Sequence, residues 1–159
     1  MNLTALFGLL CTGVLIVCAM GFSGHSIHVF VDSSALLIVP IGTLCLLGAT
    51  HRFSTTFRVL FGGWRRILAP GRSVDWNADQ RLEAVTVATT GRMLSLLMGL
   101  FGGILGLIGM LHVLHDPARL GSSMAVCLLA LFYALVQNLL IFFPLARHFG
   151  GASAIDAAP

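Results

Sequence analysis

Six histidines and six carboxylates are the residues of this sequence that could hold a metal or move a proton. His25 and His28 stand near Asp32, and His112 and His115 stand near Asp116. A His pair beside a carboxylate is compatible with a transition-metal site, and equally with wet imidazoles at a membrane boundary. The four cysteines, Cys11, Cys18, Cys45 and Cys127, all lie inside apolar runs without C-x-x-C spacing. They read as small buried hydrophobes rather than as a redox or metal centre. The sequence has no G-x-S-x-G, no H-E-x-x-H and no glycine loop beside a lysine, so the expectation is no catalytic residue, no metal and no cofactor: not an enzyme.

The elements around these residues are apolar. The chain has 159 residues, 57% of them hydrophobic and only 9% charged, with a mean hydropathy of +0.96. Soluble domains average about 25% charged residues. A water-soluble globule, a disordered tail and a nucleic-acid module are therefore excluded. Crossing a ~30 Å hydrocarbon core takes roughly 20 apolar residues of helix. Four windows meet that need, at 3–22, 34–50, 93–114 and 124–145. Short connectors (23–33 and 115–123) join them in pairs, and a long connector, 51–92, joins the pairs. The expected fold is all-α: four transmembrane helices as two hairpins, forming one domain over 1–149, with a disordered tail at 150–159 after Gly150–Gly151. No Lys or Arg precedes the first window, so it lacks the charged start of a signal peptide and is read as part of the mature chain.

Arginine placement orients the hairpins. Arg52, Arg58, Arg65, Arg66, Arg72, Arg81 and Arg92 lie in or at the end of the long connector, Arg147 follows the last window, and Arg119 alone lies in a short connector. The positive-inside rule puts the long connector and both termini in the cytoplasm. Within that connector, Phe53, Phe57, Leu60, Phe61, Trp64 and Ile67/Leu68 recur at helical spacing, with Arg58, Arg65 and Arg66 mostly off the stripe. This predicts a basic amphipathic helix with a weak point at Gly62–Gly63, ended by Pro70–Gly71, and lying on the membrane surface or docking a partner. Ser73 or Asp75 is expected to cap the next helix, which should run from well inside the cytoplasm through the third window.

All four windows lack Asp and Glu. Ion carriers keep an ionisable side chain within the membrane, so any ion-translocating role requires another chain to supply the titrating group. The third window instead carries Gly99, Gly102, Gly103, Gly106 and Gly109, overlapping small-xxx-small pairs that admit a close helix neighbour. Gln137 and Asn138 are mid-span polar residues that must either hydrogen-bond across helices or line a wet path.

Two stretches resemble the MotA/TolQ/ExbB proton-channel family. FVDSSALLIVPIGTL, Phe30 to Leu44, is similar to the entry into the second span of MotA-type stator subunits, matching at Phe30, Asp32, Leu36, Leu37, Ile38, Val39, Gly42, Thr43 and Leu44. Gly99 to Ala146 is similar to the last hairpin, through Gly99, Gly102, Gly106, Asp116–Pro117, Gly121, Met124, Tyr133, Pro144 and Ala146 among others. The resemblance implies a bacterial inner-membrane subunit of an ion-driven, proton-type motor. It implies a homopentamer around a single-span MotB/ExbD/TolR-like partner that brings the membrane Asp. It places the ion path and partner-helix packing at Gly99, Gly102, Gly103, Gly106, Leu131, Asn138, Tyr133 and Pro144, with Arg58, Trp64, Arg65 and Arg66 toward the membrane surface or a docking partner. The sequence departs from the family where threonines give way to Gly103 and to Ala130–Leu131, where prolines give way to Leu96 and Ser34, and in a cytoplasmic connector of about 40 residues. Those departures keep open an alternative: a non-conducting scaffold or assembly subunit of the same fold.

Overall fold

The computed structural model describes residues 3–22, 30–68 and 77–156, and every regular element among them is helical. Helix α1 is Leu3–Phe22, uncharged along its length. Helix α2 runs Ser33–Thr50. Its N-terminus is capped by Asp32, whose Oδ1 accepts the Ala35 N–H at 2.8 Å. Its middle, Leu37–Ile41, is a π-helical turn enclosing Pro40. Proline lacks an N–H and crowds the preceding turn, and the wider turn accommodates it. After two residues the chain enters α3, Phe53–Leu68. Helix α4 is Ala78–His112, 35 residues, or about 52 Å at 1.5 Å per residue, longer than a bilayer core. Helix α5 begins as Pro117–Gln137, widens into a second π turn at Asn138–Phe142 and continues as Phe143–Asp156.

Three of these helices are long and apolar enough to cross a membrane: Ser33–Thr50, Ala78–His112 and Arg119–Gly150. Burial of apolar side chains between them forms two clusters. The outer one joins Ala35 and Val39 of α2 to Ala130 and Ala134 of α5. The inner one gathers Leu47, Val59, Ala84, Val87, Ala88, Phe142, Leu145 and Phe149 from α2, α3, α4 and α5. Helix α1 touches the rest chiefly at the second π turn, and Phe7, Leu10, Val14, Leu15 and Val17 stand exposed. The outward faces of α4 and α5 are likewise apolar, from Leu96 to Leu111 and from Met124 to Leu139, as lipid or neighbouring helices require.

Several expectations are corrected. The long helix starts at Asn77, not at Ser73 or Asp75, which lie outside the described residues. Asn77 and Gln80 form a reciprocal capping box, satisfying donors that the first turn leaves open. The connector between α4 and α5 is four residues, 113–116, rather than 115–123, because Pro117 takes the first helical position, where its missing N–H costs nothing. Gly62–Gly63 does not weaken α3: Gly63 is buried, and a Cβ there would lie 2.8 Å from Leu145 Cδ1. Gly150–Gly151 does not stop the last helix, which continues to Asp156. A helical glycine costs only about 1 kcal/mol, and the residues after the pair sustain the helix. Pro70–Gly71 lies outside the described residues.

Candidate functional site: the glycine-packed hairpin and the surface helix

The α4 glycines lie against α5 of the same chain. A Cβ at Gly106 would stand 2.7 Å from the Cα of Cys127, and one at Gly102 would stand 2.8 Å from Ala130 Cβ. A Cβ at Gly99 would overlap Ala134. These three positions are filled by helix-on-helix contact, so they leave no opening for a further helix on this face. Gly103 differs. Its hypothetical Cβ meets its neighbours at ordinary contact distance, Leu131 at 3.6 Å and the Cys127 carbonyl at 3.9 Å, and Leu131 itself is 39% exposed. The Gly103–Leu131 pair is where the stripe reaches the edge of the hairpin.

Inward of the glycines the hairpin turns polar. Ser95 Oγ, fully buried, donates to the Ala134 carbonyl at 3.1 Å and lies 3.5 Å from Gln137 Oε1. Asn138 Nδ2 donates to the Arg92 carbonyl at 3.3 Å. Both mid-span amides thus find partners on the facing helix, and Asn138 points into the hairpin while Leu131 points to its edge. Leu131 and Asn138, seven residues apart in regular α-helix, both face α4, Leu131 beside Gly103 and Asn138 beside Arg92.

Tyr133 ties the outer part of the bundle together. Its hydroxyl donates to the Phe30 carbonyl at 2.5 Å and accepts the Asp32 N–H at 3.3 Å. Phe132 packs beside both Phe30 and Tyr133. Pro144 is half-buried two residues after the π turn. No Asp or Glu occurs in 33–74, 84–115 or 117–155, so the helices bring no titratable carboxylate to this hairpin. Among the described residues no three metal-ligating side chains come together. His112 and His115 are exposed and Asp116 pairs with Arg119 at 3.3 Å, while His25 and His28 lie outside the described residues.

At the inner end, α3 crosses the bundle on its small side. Thr55, Thr56, Val59 and Gly63 are buried, and Thr56 Oγ1 donates to the His51 carbonyl at 3.3 Å. Trp64 is half-buried against the inner cluster. Arg58 and Arg65 are exposed, and the Arg66 side chain lies outside the described residues. Sequence reasoning missed Ser95 and both π turns. The signals for the turns were Pro40 and Pro144, each placed within an apolar span.

Close-packed glycines, inward-facing amides, apolar outer faces and spans without carboxylates define a polytopic helical membrane protein with no Asp or Glu in the described hairpin. Residues 73–155 match the MotA/TolQ/ExbB proton channel family, and the chain belongs to that family. It is 41% identical over 49 residues to the chemotaxis protein PomA of Vibrio alginolyticus, covering 31% of this chain and 19% of that protein. It is 54% identical over 41 residues to Motility protein A of Treponema pallidum (strain Nichols), covering 25% and 16%. Each match spans less than a fifth of the relative's length.

Proposed function

We propose that this chain is the channel-type subunit of an ion-driven motor complex in a bacterial inner membrane. Four spans, α1 included, form two hairpins, with both termini and the connector 51–92 cytoplasmic. Five copies surround a single-span partner that supplies the ion-carrying Asp. One observation carries the reading. A hairpin of this family is packed tightly by Gly99, Gly102 and Gly106 while 84–115 and 117–155 contain no carboxylate. An ion passing such a helix pair needs its binding charge from a second protein.

The ion path is assigned to the edge of the hairpin at Gly103 and Leu131, and Asn138 is an interhelical tie rather than a path residue. Ions moving down a potential of ~100 mV release roughly 2.3 kcal/mol per charge, and several per step would drive mechanical work.

The test is reconstitution with a co-expressed single-span protein carrying a membrane Asp. Proton flux under an imposed potential should appear with both chains and vanish with either alone or with Asp→Asn in the partner. Native mass spectrometry should give five copies of this chain. A complete complex without flux would establish the scaffold alternative, which Ala130, buried against Gly102, and the hydroxyl-free Leu131 favour. A monodisperse monomer would remove both readings.

A further inference from the structure

We infer that α3 is a binding surface for anionic phospholipid of the inner leaflet, with an aromatic ridge for the acyl boundary and an arginine row for the headgroup phosphates. The inference concerns membrane attachment and does not depend on conduction.

The first ground is how α3 is seated. At one end Phe53 lies over Gly48 of α2, with no room for a Cβ beneath it. At the other, Gly63 lies against Leu145 and Phe149 of α5. Two glycine notches and the buried Thr55, Thr56 and Val59 fix which side of the helix meets the bundle. That side is the less apolar one. Turned outward are Phe57 and Phe61, 54% and 65% exposed, while Phe53, 57% exposed, leans across Gly48 at the end of the ridge. Phe57 and Phe61 stack with centroids 5.9 Å apart. A helix in water would bury such a ridge against its own core. Here the core takes Thr55, Thr56, Val59 and Gly63, with Leu60 and Trp64 partly covered, and the ridge is left for a medium that dissolves rings.

The second ground is charge. Arg58 and Arg65 are exposed and seven residues apart, so they share one stripe, about 10 Å between Cα atoms, beside the aromatic ridge. No acidic residue occurs between Asp32 and Asp75, so nothing on α3 neutralises them. Guanidinium groups recognise phosphate through paired N–H donors.

The third ground is position. His51 and Arg52 alone separate α3 from Thr50, the end of a membrane-length helix. The ridge therefore starts at the bilayer boundary. A ring-bearing face flanked by exposed cations, beginning where a span ends, fits an anionic leaflet.

The experiment uses the full chain in lipid nanodiscs with one tryptophan, made by Phe57→Trp in a Trp64→Phe/Trp76→Phe background. Brominated phosphatidylglycerol or brominated phosphatidylcholine is titrated over the same range of mole fractions. The brominated anionic lipid should quench position 57 at a several-fold lower mole fraction. Arg58→Gln and Arg65→Gln should each reduce that preference by about fivefold. Arg119→Gln, at the opposite end of the bundle, should leave it unchanged. Thermal unfolding should show phosphatidylglycerol stabilising the wild-type chain more than the Arg58→Gln/Arg65→Gln form. Equal quenching by both lipids would overturn the headgroup site. Absence of quenching by either would place the ridge against protein, as would a disulfide between two copies carrying Phe57→Cys, and either would overturn the surface as a whole.

Discussion

The side-chain amide of Asn138 donates to the backbone carbonyl of Arg92, 46 residues earlier and on the facing helix. This bond joins α4 to the π turn of α5 where α5 changes register. Interhelical hydrogen bonds in membranes average about 0.6 kcal/mol and reach about 1.7 kcal/mol. Asn138→Leu should therefore lower stability by about 1 kcal/mol, read as a lower Tm in mild detergent. Flux per folded complex should stay the same. A large drop in flux at unchanged Tm would return Asn138 to the ion path.

Gly106 and Gly103 sit in one stripe but should respond differently to alanine. At Gly106 the new methyl meets the Cys127 backbone at 2.7 Å, and overpacking costs about 1–3 kcal/mol. At Gly103 it comes no closer than 3.6 Å to Leu131 and 3.9 Å to the Cys127 carbonyl, and the change should stay within about 0.5 kcal/mol. Paired thermal-unfolding curves decide this. Equal destabilisation would mean that the hairpin packs otherwise.

Tyr133→Phe removes one hydroxyl that both donates to Phe30 and accepts from Asp32. A loss of about 0.5–1.5 kcal/mol is expected, concentrated where the bond acts. Amide exchange at residues 30–36 should quicken while that of 84–95 stays slow. Uniform quickening would mean that Tyr133 supports the whole bundle.

Leu131→Thr should raise ion flux in the complete complex if the path follows the hairpin edge. A threonine hydroxyl can hydrogen-bond a passing ion's water, which an isobutyl group cannot. Unchanged flux with normal assembly would move the path off this edge.

Cysteines placed singly at 58 and 65, in a chain whose four native cysteines are replaced by alanine, should react with membrane-impermeant maleimide from the cytoplasmic side only. Labelling from outside would invert the topology.

The sequence was most legible where one force acted alone. Hydrocarbon thickness set the apolar windows: α2 begins one residue before its expected window, and the third window overruns the end of its helix by two residues. Helical periodicity found α3, because Phe53, Phe57, Phe61 and Trp64 repeat too regularly for a loop. It did not say which residues of α3 would meet the bundle. In a soluble protein the aromatic face is the buried one, and here the buried residues are Thr55, Thr56, Val59 and Gly63. The glycines of α4 announced close packing, yet which helix would fill them depended on three-dimensional proximity that spacing does not encode. The hydrogen bond of Asn138 to the Arg92 carbonyl was likewise beyond spacing, which put Asn138 on one face with Leu131 but not which backbone group it would meet.

That turn has a consequence for how the molecule can vary. Each residue added to or taken from an α-helix turns all that follows by about 100°. The wide turn at Asn138–Phe142 takes up one such increment, so α5 behaves as two shafts meeting out of phase. The outer shaft is set by Ala130 and Ala134 on the α4 glycines, and the inner by Leu145 and Phe149 beneath Gly63. Deleting one residue there would restore a regular helix and unseat α3, although the deletion touches no residue of α3. Insertions and deletions in this segment should therefore come as compensated pairs, or not at all.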